Sequence, residues 1–158
     1  MYRNFSYKCM TFVAIILFFS SKTTNFTPNF RLMKITGYQT KQQVIPTKRY
    51  CQTLDLKDDP KLIEEYIKRH GEEEAWPEIC EGIRSVGILE MEIFISGNRL
   101  FMIVETPLDF DWNEAFARLA TLPRQQEWED YMSVFQNAAA NATSAEKWKQ
   151  MGRIFRLY

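Results

Sequence analysis

The segment EEYIKRHGEEEAWPEI, residues 64–79, holds the single histidine of the chain, His70. An imidazole has an ordinary pKa of about 6.5 and can both accept and donate a proton near neutral pH. Tyr66 precedes it by four residues, which places both side chains on one face of a helix, and Trp76 follows it by six. This grouping indicates acid–base chemistry beside aromatic rings. The spacing equally allows a solvated histidine at a helix end and a tyrosine that only packs its ring.

Four tryptophans are many for a chain of this length. Carbohydrate sites often set an aromatic ring against sugar C–H groups while polar groups bind the hydroxyls, although core packing explains most single indoles. The carboxylate run Glu72–Glu74 is typical of a solvated surface, and a lone histidine without a CxxC motif leaves few ligands for a transition metal. The sequence contains no glycine-rich phosphate loop and no GxSxG elbow. We therefore expect chemistry that needs few groups, no metal and no bound nucleotide.

The elements that position these residues begin with a strand over 49–56. Asp59 and Pro60 form a helix start, and apolar residues at helical spacing predict a helix over 60–70. A second helix is predicted from Pro77, with Gly87 as its C-terminal stop. Tyr66 and His70 are therefore expected on the first helix.

The second half opens with the clearest pattern, a hairpin. Runs over 88–95 and 99–106 flank the turn Ser96-Gly97-Asn98. A helix capped by Asp111 follows, then a helix beginning at Pro123, a polar loop over 137–147 and a last strand over 151–158.

The resulting order, β-α-α-β-β-α-α-β, predicts an α+β fold of the ferredoxin-like, split βαβ kind. Its strands look apolar on both faces of the sheet. We expect one face to carry Ile88, Phe94, Met102 and Val104, and the other to carry Leu89, Met91, Ile93, Phe101 and Ile103. Helices can cover one face, so a second subunit is expected to cover the other, which predicts a homodimer.

Charge divides the chain near Lys48. Residues 1–48 contain seven Lys or Arg and no Asp or Glu, whereas residues 49–158 carry all 20 acidic residues. The acidic remainder argues against nucleic acid as a partner. We interpret residues 1–48 as a leader that is not part of the fold, and residues 49–158 as one α+β domain.

The leader has two interpretations. Arg3 and Lys8 precede an apolar run over 9–19, which is the layout of a secretory signal but is short for a membrane span. Alternatively, translation starts at Met33 and the preceding residues are upstream sequence. Cys51 and Cys80 make no disulfide framework, which suits the cytoplasm. We expect a cytoplasmic protein without stable membrane association, or an exported one if residues 1–21 are a real signal.

The strings EEYIKRH…WPEI, SVGILEMEIFISGNRLFMIVE and EWEDYM, with a short terminal strand, resemble the L-rhamnose mutarotase family over nearly all of 49–158. The resemblance implies a dimeric α/β barrel of ferredoxin-like subunits that interconverts the α and β anomers of L-rhamnose without a cofactor. It implies a racemase- or epimerase-type isomerase of carbohydrate metabolism, an aldose 1-epimerase.

The same resemblance assigns residues. It makes His70 the catalytic proton donor, Tyr66 a substrate-binding tyrosine and Trp128 the first of two tryptophans that line the sugar site; we add Trp76 to the platform. The chain departs from the family where Glu129 takes the place of the second tryptophan and Met91 that of a substrate-contacting tyrosine. The link from His70 to Trp76 is also two residues longer. These departures leave L-rhamnose, L-fucose or another 6-deoxy or neutral sugar open as substrate.

Two alternatives use the same fold. A non-catalytic sugar-binding or regulatory dimer would bind a sugar without accelerating anomer exchange. A cofactor-free or haem-using monooxygenase of the dimeric barrel type would consume oxygen or be coloured, and no motif supports a haem ligand at His70.

Overall fold

A computed structural model describes residues 37–71, 74–139, 142 and 144–157. Both interpretations of the leader concern residues 1–36, which lie outside the described part of the chain, as do Glu72 and Glu73. Among the described residues, no helix combines the length and apolar character needed to cross a bilayer.

The described elements form a mixed α+β fold, as predicted. They are β1 (Thr47–Asp55), α1 (Pro60–Arg69), α2 (Pro77–Ser85), β2 (Glu90–Ser96), β3 (Arg99–Pro107), α3 (Trp112–Leu119), α4 (Gln125–Ser133), α5 (Ser144–Lys147) and β4 (Lys149–Gln150). The strands make one antiparallel sheet in the order β2-β3-β1-β4. Each helical connection therefore skips one strand, which is the split βαβ arrangement.

Local signals explain where most elements begin and end. Asp59 and Asp111 cap α1 and α3 by accepting backbone N–H groups of the first turn. Gly97, at a φ of 62°, makes the hairpin turn, and Gly87, at a φ of 95°, follows the end of α2. The strand β1 begins at Thr47, two residues earlier than expected.

The helices pack on one face of the sheet in two clusters of buried side chains. The α1/α4 cluster contains Leu54, Leu56, Tyr66, Leu100, Met132 and Phe135. The α2/α3 cluster contains Val86, Ile88, Met102, Val104, Ala115 and Leu119. Ile93 and Trp148 pack against both clusters, so the two halves of the helical layer share one core.

The strand register corrects the predicted assignment of side chains to the two faces. Met91 pairs with Val104 and Ile93 with Met102, so these residues share the helix-covered face. Phe94 pairs with Phe101 and therefore lies on the other face. The sequence-based prediction placed Met91 and Ile93 on the opposite face, and Phe94 on the helix-covered face. It continued the alternation of residues along the chain through the turn, whereas the pairing of the strands across the two-residue turn determines which residues share a face.

Three other boundaries differ from the sequence-based expectation. Helix α4 begins at Gln125, because Arg124 adopts a left-handed conformation (φ 62°) that separates Pro123 from the helix. The predicted loop over 137–147 contains α5, and the final strand is Lys149–Gln150, with no strand assigned over 151–157. The apolar residues after Gln150 are thus exposed instead of paired in a sheet.

Leu100 tests the core, because its side chain is 1% exposed at the centre of the α1/α4 cluster. Leu100→Ala should lower the free energy of unfolding by about 2–5 kcal/mol, measured by urea denaturation. Leu108→Ala is the matched control, since Leu108 is 58% exposed, and it should change stability by no more than about 0.5 kcal/mol. Equal losses in the two variants would contradict this description of the core.

Candidate active site

The first turn of α1 determines the direction in which the side chains of Tyr66 and His70 point. The Asp59 carboxylate accepts the N–H groups of Lys61 at 2.8 Å and Leu62 at 3.4 Å, with Pro60 at the first helical position. This start fixes the phase of the helix, so that Tyr66 faces the sheet and is 3% exposed. His70, one turn later on the same face, caps the C-terminal end and is partly buried.

His70 lies between two aromatic rings. Its centroid is 4.1 Å from that of Tyr66, with the ring planes tilted by 32°, and 5.3 Å from that of Trp128, in an edge-on arrangement. The structure thus brings together three residues that the sequence assigned to one site. Trp128 comes from α4, so this contact requires α1 and α4 to pack side by side.

A single hydrogen bond defines the tautomer of His70. Its Nδ1 lies 2.9 Å from the backbone carbonyl oxygen of Tyr66. A carbonyl can only accept, so Nδ1 carries the hydrogen and Nε2 of the neutral ring keeps its lone pair. Burial lowers the pKa of His70 below its ordinary value, and the hydrogen bond to the carbonyl partly opposes this shift. Near neutral pH the ring is therefore a neutral base with Nε2 as its reactive atom.

Tyr66 has the opposite character. Burial raises the pKa of its hydroxyl far above the ordinary value, and the negative charge of Glu129 raises it further. The phenol therefore stays protonated at every physiological pH. It can donate a hydrogen bond, but it cannot serve as the base.

Trp76 completes an aromatic wall beside His70 that consists of Tyr66, Trp128 and Trp76. Its ring is 5.3 Å from Trp128 and stacks nearly parallel to Tyr131 at 6.1 Å. The Arg124 guanidinium lies 3.9 Å from the Trp76 centroid and also forms an ion pair with Glu78. Because Trp76 precedes α2 and Arg124 precedes α4, this cation–π contact ties the starts of the two helices together.

Glu129 belongs to a polar group that sequence reasoning found only in part. One carboxylate oxygen lies 3.5 Å from the Lys147 ammonium, and the other is 3.5 Å from the side-chain amide of Gln125. Gln125 and Lys147 are both buried. They were missed because Gln125 lies at the first turn of its helix and Lys147 lies in a segment that was expected to be a loop.

Met91 and the strand carboxylates lie apart from His70. Met91 packs in the α2/α3 cluster, on the same sheet face as Tyr66 but in the other half of the core. Glu105 lies on the opposite face, where it pairs with Arg49 at 3.0 Å, and Glu90 is its partner across β2 and β3. These carboxylates therefore do not tune His70.

Among the described residues, two of the cavities lie outside the aromatic group formed by Tyr66, His70, Trp76 and Trp128. One of about 220 Å³ lies on the open face of the sheet and includes Arg49, Glu90 and Glu105; the other, of about 410 Å³, is lined by residues that include Asn137 and Lys147. Neither is lined by His70, so neither is a cleft around the imidazole. The imidazole instead contacts aromatic rings. Within the described ranges, no three His, Cys, Asp or Glu side chains are grouped as metal ligands.

Residues 49–157 match the profile of the family described as rhaM, L-rhamnose mutarotase. The chain belongs to this family. The "L-fucose mutarotase" of Xanthomonas campestris pv. campestris is 44% identical over 109 residues, which cover 69% of this chain and 87% of that protein. A UPF0734 protein of Dictyostelium discoideum is 38% identical over 114 residues, which cover 70% of this chain and 90% of that protein.

A solved structure supports the fold of this mutarotase family member. The L-rhamnose mutarotase FA22100 from Formosa agariphila superposes with a TM-score of 0.51 at 21% identity, covering 70% of this chain and 99% of that chain. The shared architecture is the four-stranded antiparallel sheet with helices on one side. Because two relatives carry the names of different sugars, the family assignment does not specify a substrate.

The lowered pKa of His70 makes stability depend on pH in a defined direction. The unfolded chain binds a proton near pH 6.5, whereas the folded chain resists it to lower pH. The free energy of unfolding should therefore fall as pH decreases from 7 through 6.5, with a slope of at most about 1.4 kcal/mol per pH unit from this group.

The imidazole Hε1 resonance of untagged protein measures this directly, because the sequence has one histidine. It should titrate below the ordinary histidine pKa, and His70→Gln should remove the corresponding part of the stability slope. A titration midpoint at or above 6.5 would contradict the buried, neutral imidazole.

Proposed function

We propose that this protein is a sugar mutarotase, an isomerase of the aldose 1-epimerase type, that interconverts the α and β anomers of L-rhamnose, L-fucose or a related 6-deoxy sugar. The observation that carries the proposal is the fixed tautomer of His70, whose Nε2 is left as a base beside Trp128. The family membership supplies the reaction class.

The reaction needs two proton movements between oxygens and no redox partner. A base removes the proton of the anomeric hydroxyl O1 while an acid protonates the ring oxygen O5, and the C1–O5 bond breaks to give the open-chain aldehyde. Rotation about C1–C2 and closure on the other face give the second anomer. His70 Nε2 takes the O1 proton as a neutral base, and the imidazolium returns it to O5. A water can carry the proton over the remaining distance.

The neighbouring residues position the sugar. Tyr66 keeps its proton, so it donates a hydrogen bond to a sugar oxygen or to a bridging water. Trp128 and Trp76 present indole surface to the C–H groups of the pyranose. Glu129, at the end of this wall, accepts from a sugar hydroxyl. Met91 lies in the other half of the core, and we retain it as a sugar contact only by the family resemblance.

His70→Ala should slow anomer exchange by roughly 10²–10⁴-fold, because general acid–base catalysis contributes about this factor. Exchange NMR on L-rhamnose and L-fucose measures the rate between the two anomeric resonances. Lys61→Ala, an exposed change on the same helix, should leave the rate unchanged.

Exchange as fast as wild type in the His70→Ala protein would remove His70 from the mechanism. Saturable binding of sugar by the wild type without faster exchange would favour the non-catalytic sugar-binding dimer instead.

We further propose that two copies assemble as a dimeric α/β barrel through the open face of the sheet. Phe94, Phe101 and Ile103 lie on this face and are only partly buried. Beyond β4, the side chains of Ile154 and Phe155 are 101% and 74% exposed. Apolar surface of this kind is typical of an interface, and a second copy would cover both regions.

Ile154→Asp combined with Phe155→Asp should convert the dimer to a monomer, because a buried unpaired carboxylate is costly. Light scattering after size exclusion should give twice the 18.8 kDa chain mass for wild type and about one chain mass for the variant. Val44→Asp is the matched control at another fully exposed apolar side chain and should remain dimeric. A wild type that is monomeric at all concentrations would contradict the barrel.

A further inference from the structure

Lys147 is an unusual lysine, because its side chain is only 6% exposed. Lysine rarely occurs buried unless it is paired, since removing an ammonium from water is costly. Its partner is Glu129, at 3.5 Å, whose side chain is 30% exposed. A buried ion pair of this kind is weak evidence for stability, because desolvation offsets most of the attraction. A contribution to net stability therefore does not by itself account for the pair.

The pair lies at the edge of the aromatic group. Glu129 follows Trp128 directly in α4, and Trp128 contacts His70. The Glu129 charge also acts on the Tyr66 hydroxyl, so the carboxylate lies near the phenol. Gln125 approaches the second carboxylate oxygen of Glu129. Donors and an acceptor thus lie together near the Tyr66 hydroxyl.

Lys147 also lies at the edge of a cavity. It lines the cavity of about 410 Å³ together with Asn137, Ala138, Ala139, Ala142, Glu146 and Lys149. This volume falls in the range of small-molecule sites. Lys147 therefore contacts Glu129, whose charge acts on Tyr66, and also lines a cavity with the volume of a small-molecule site.

We propose that Lys147 is a specificity-determining residue that, together with Glu129, recognises neighbouring hydroxyl groups of the sugar away from the anomeric carbon. The ammonium donates to one hydroxyl and the carboxylate accepts from the next, an arrangement that depends on the configuration of each carbon. L-Rhamnose and L-fucose differ in the configuration of two ring carbons, so the pair discriminates between them. This inference rests on the proposed mutarotase function and adds a residue to it.

The test measures mutarotation by polarimetry, starting from one crystalline anomer of L-rhamnose or L-fucose at several concentrations. Lys147→Met, which keeps the length of the side chain and removes the charge, should raise KM for the preferred sugar roughly 10- to 100-fold, as expected for the loss of a charged hydrogen bond. It should change kcat by less than about threefold, because the proton transfers at His70 remain. The ratio of kcat/KM between the two sugars should move toward one.

Lys61→Met is the matched control, because Lys61 is an exposed lysine on α1 that does not line this cavity; it should leave KM and the sugar ratio unchanged. If Lys147→Met does not fold, the double variant Lys147→Met with Glu129→Gln leaves no unpaired charge and should show the same loss of discrimination.

An unchanged KM and an unchanged sugar ratio in a folded Lys147 variant would overturn the inference, while an active wild type and an inactive His70→Ala protein would leave the proposed function standing. If kcat, the ratio of kcat/KM between the two sugars and the melting temperature all fall together in both Lys147 variants, the role of Lys147 is structural. That result would equally overturn the inference. A wild type inactive on both sugars would instead remove the proposed function itself.

Discussion

The hydrogen bond from His70 Nδ1 to the Tyr66 carbonyl is the interaction on which the candidate site depends. It holds the ring at the end of α1, directs the hydrogen to Nδ1 and leaves Nε2 as the proton acceptor. The bond exists because histidine and tyrosine are one helical turn apart and because Asp59 and Pro60 start that helix at a fixed phase. A shift of the helix start by one residue would turn both side chains away from the core.

The aromatic wall gives this bond its chemical consequence. Trp128 and Tyr66 exclude water from the imidazole, which lowers its pKa and keeps it neutral. The Arg124 guanidinium packs on Trp76 and holds it in this wall. The backbone of Arg124 adopts a left-handed conformation. A non-glycine residue in that region costs of order 1–3 kcal/mol. The ion pairs of Arg124 and its cation–π contact offset this strain, so two helix starts, α2 and α4, are positioned together.

Local sequence signals predicted the parts of the fold that local interactions determine. The capped helix α1, the helix beginning at Pro77 and the hairpin at Gly97 all follow from residues within one turn of each boundary. The face of Met91 could not be read in this way, because it depends on pairing with Val104 across the hairpin. Helix α5 was missed because four residues carry no periodic pattern, and with it the burial of Lys147.

The residues of the candidate site were predictable from the sequence only in part. Tyr66 and His70 were found from spacing. The approach of Trp128 and Trp76 depends on how α1, α2 and α4 pack; only Trp128 was anticipated by the resemblance to a family. The charged pair of Glu129 and Lys147 joins residues 18 positions apart through a segment without a regular pattern. No rule based on sequence spacing would have joined them.

The central claim, that a sugar meets His70 Nε2, is tested most directly by the imidazole resonances of the wild-type protein during a sugar titration. The single histidine makes the assignment unambiguous. Addition of L-rhamnose or L-fucose should shift the Hε1 and Nε2 resonances saturably, over the same concentration range that saturates anomer exchange. Accelerated anomer exchange with imidazole resonances that do not move at saturating sugar would contradict the account.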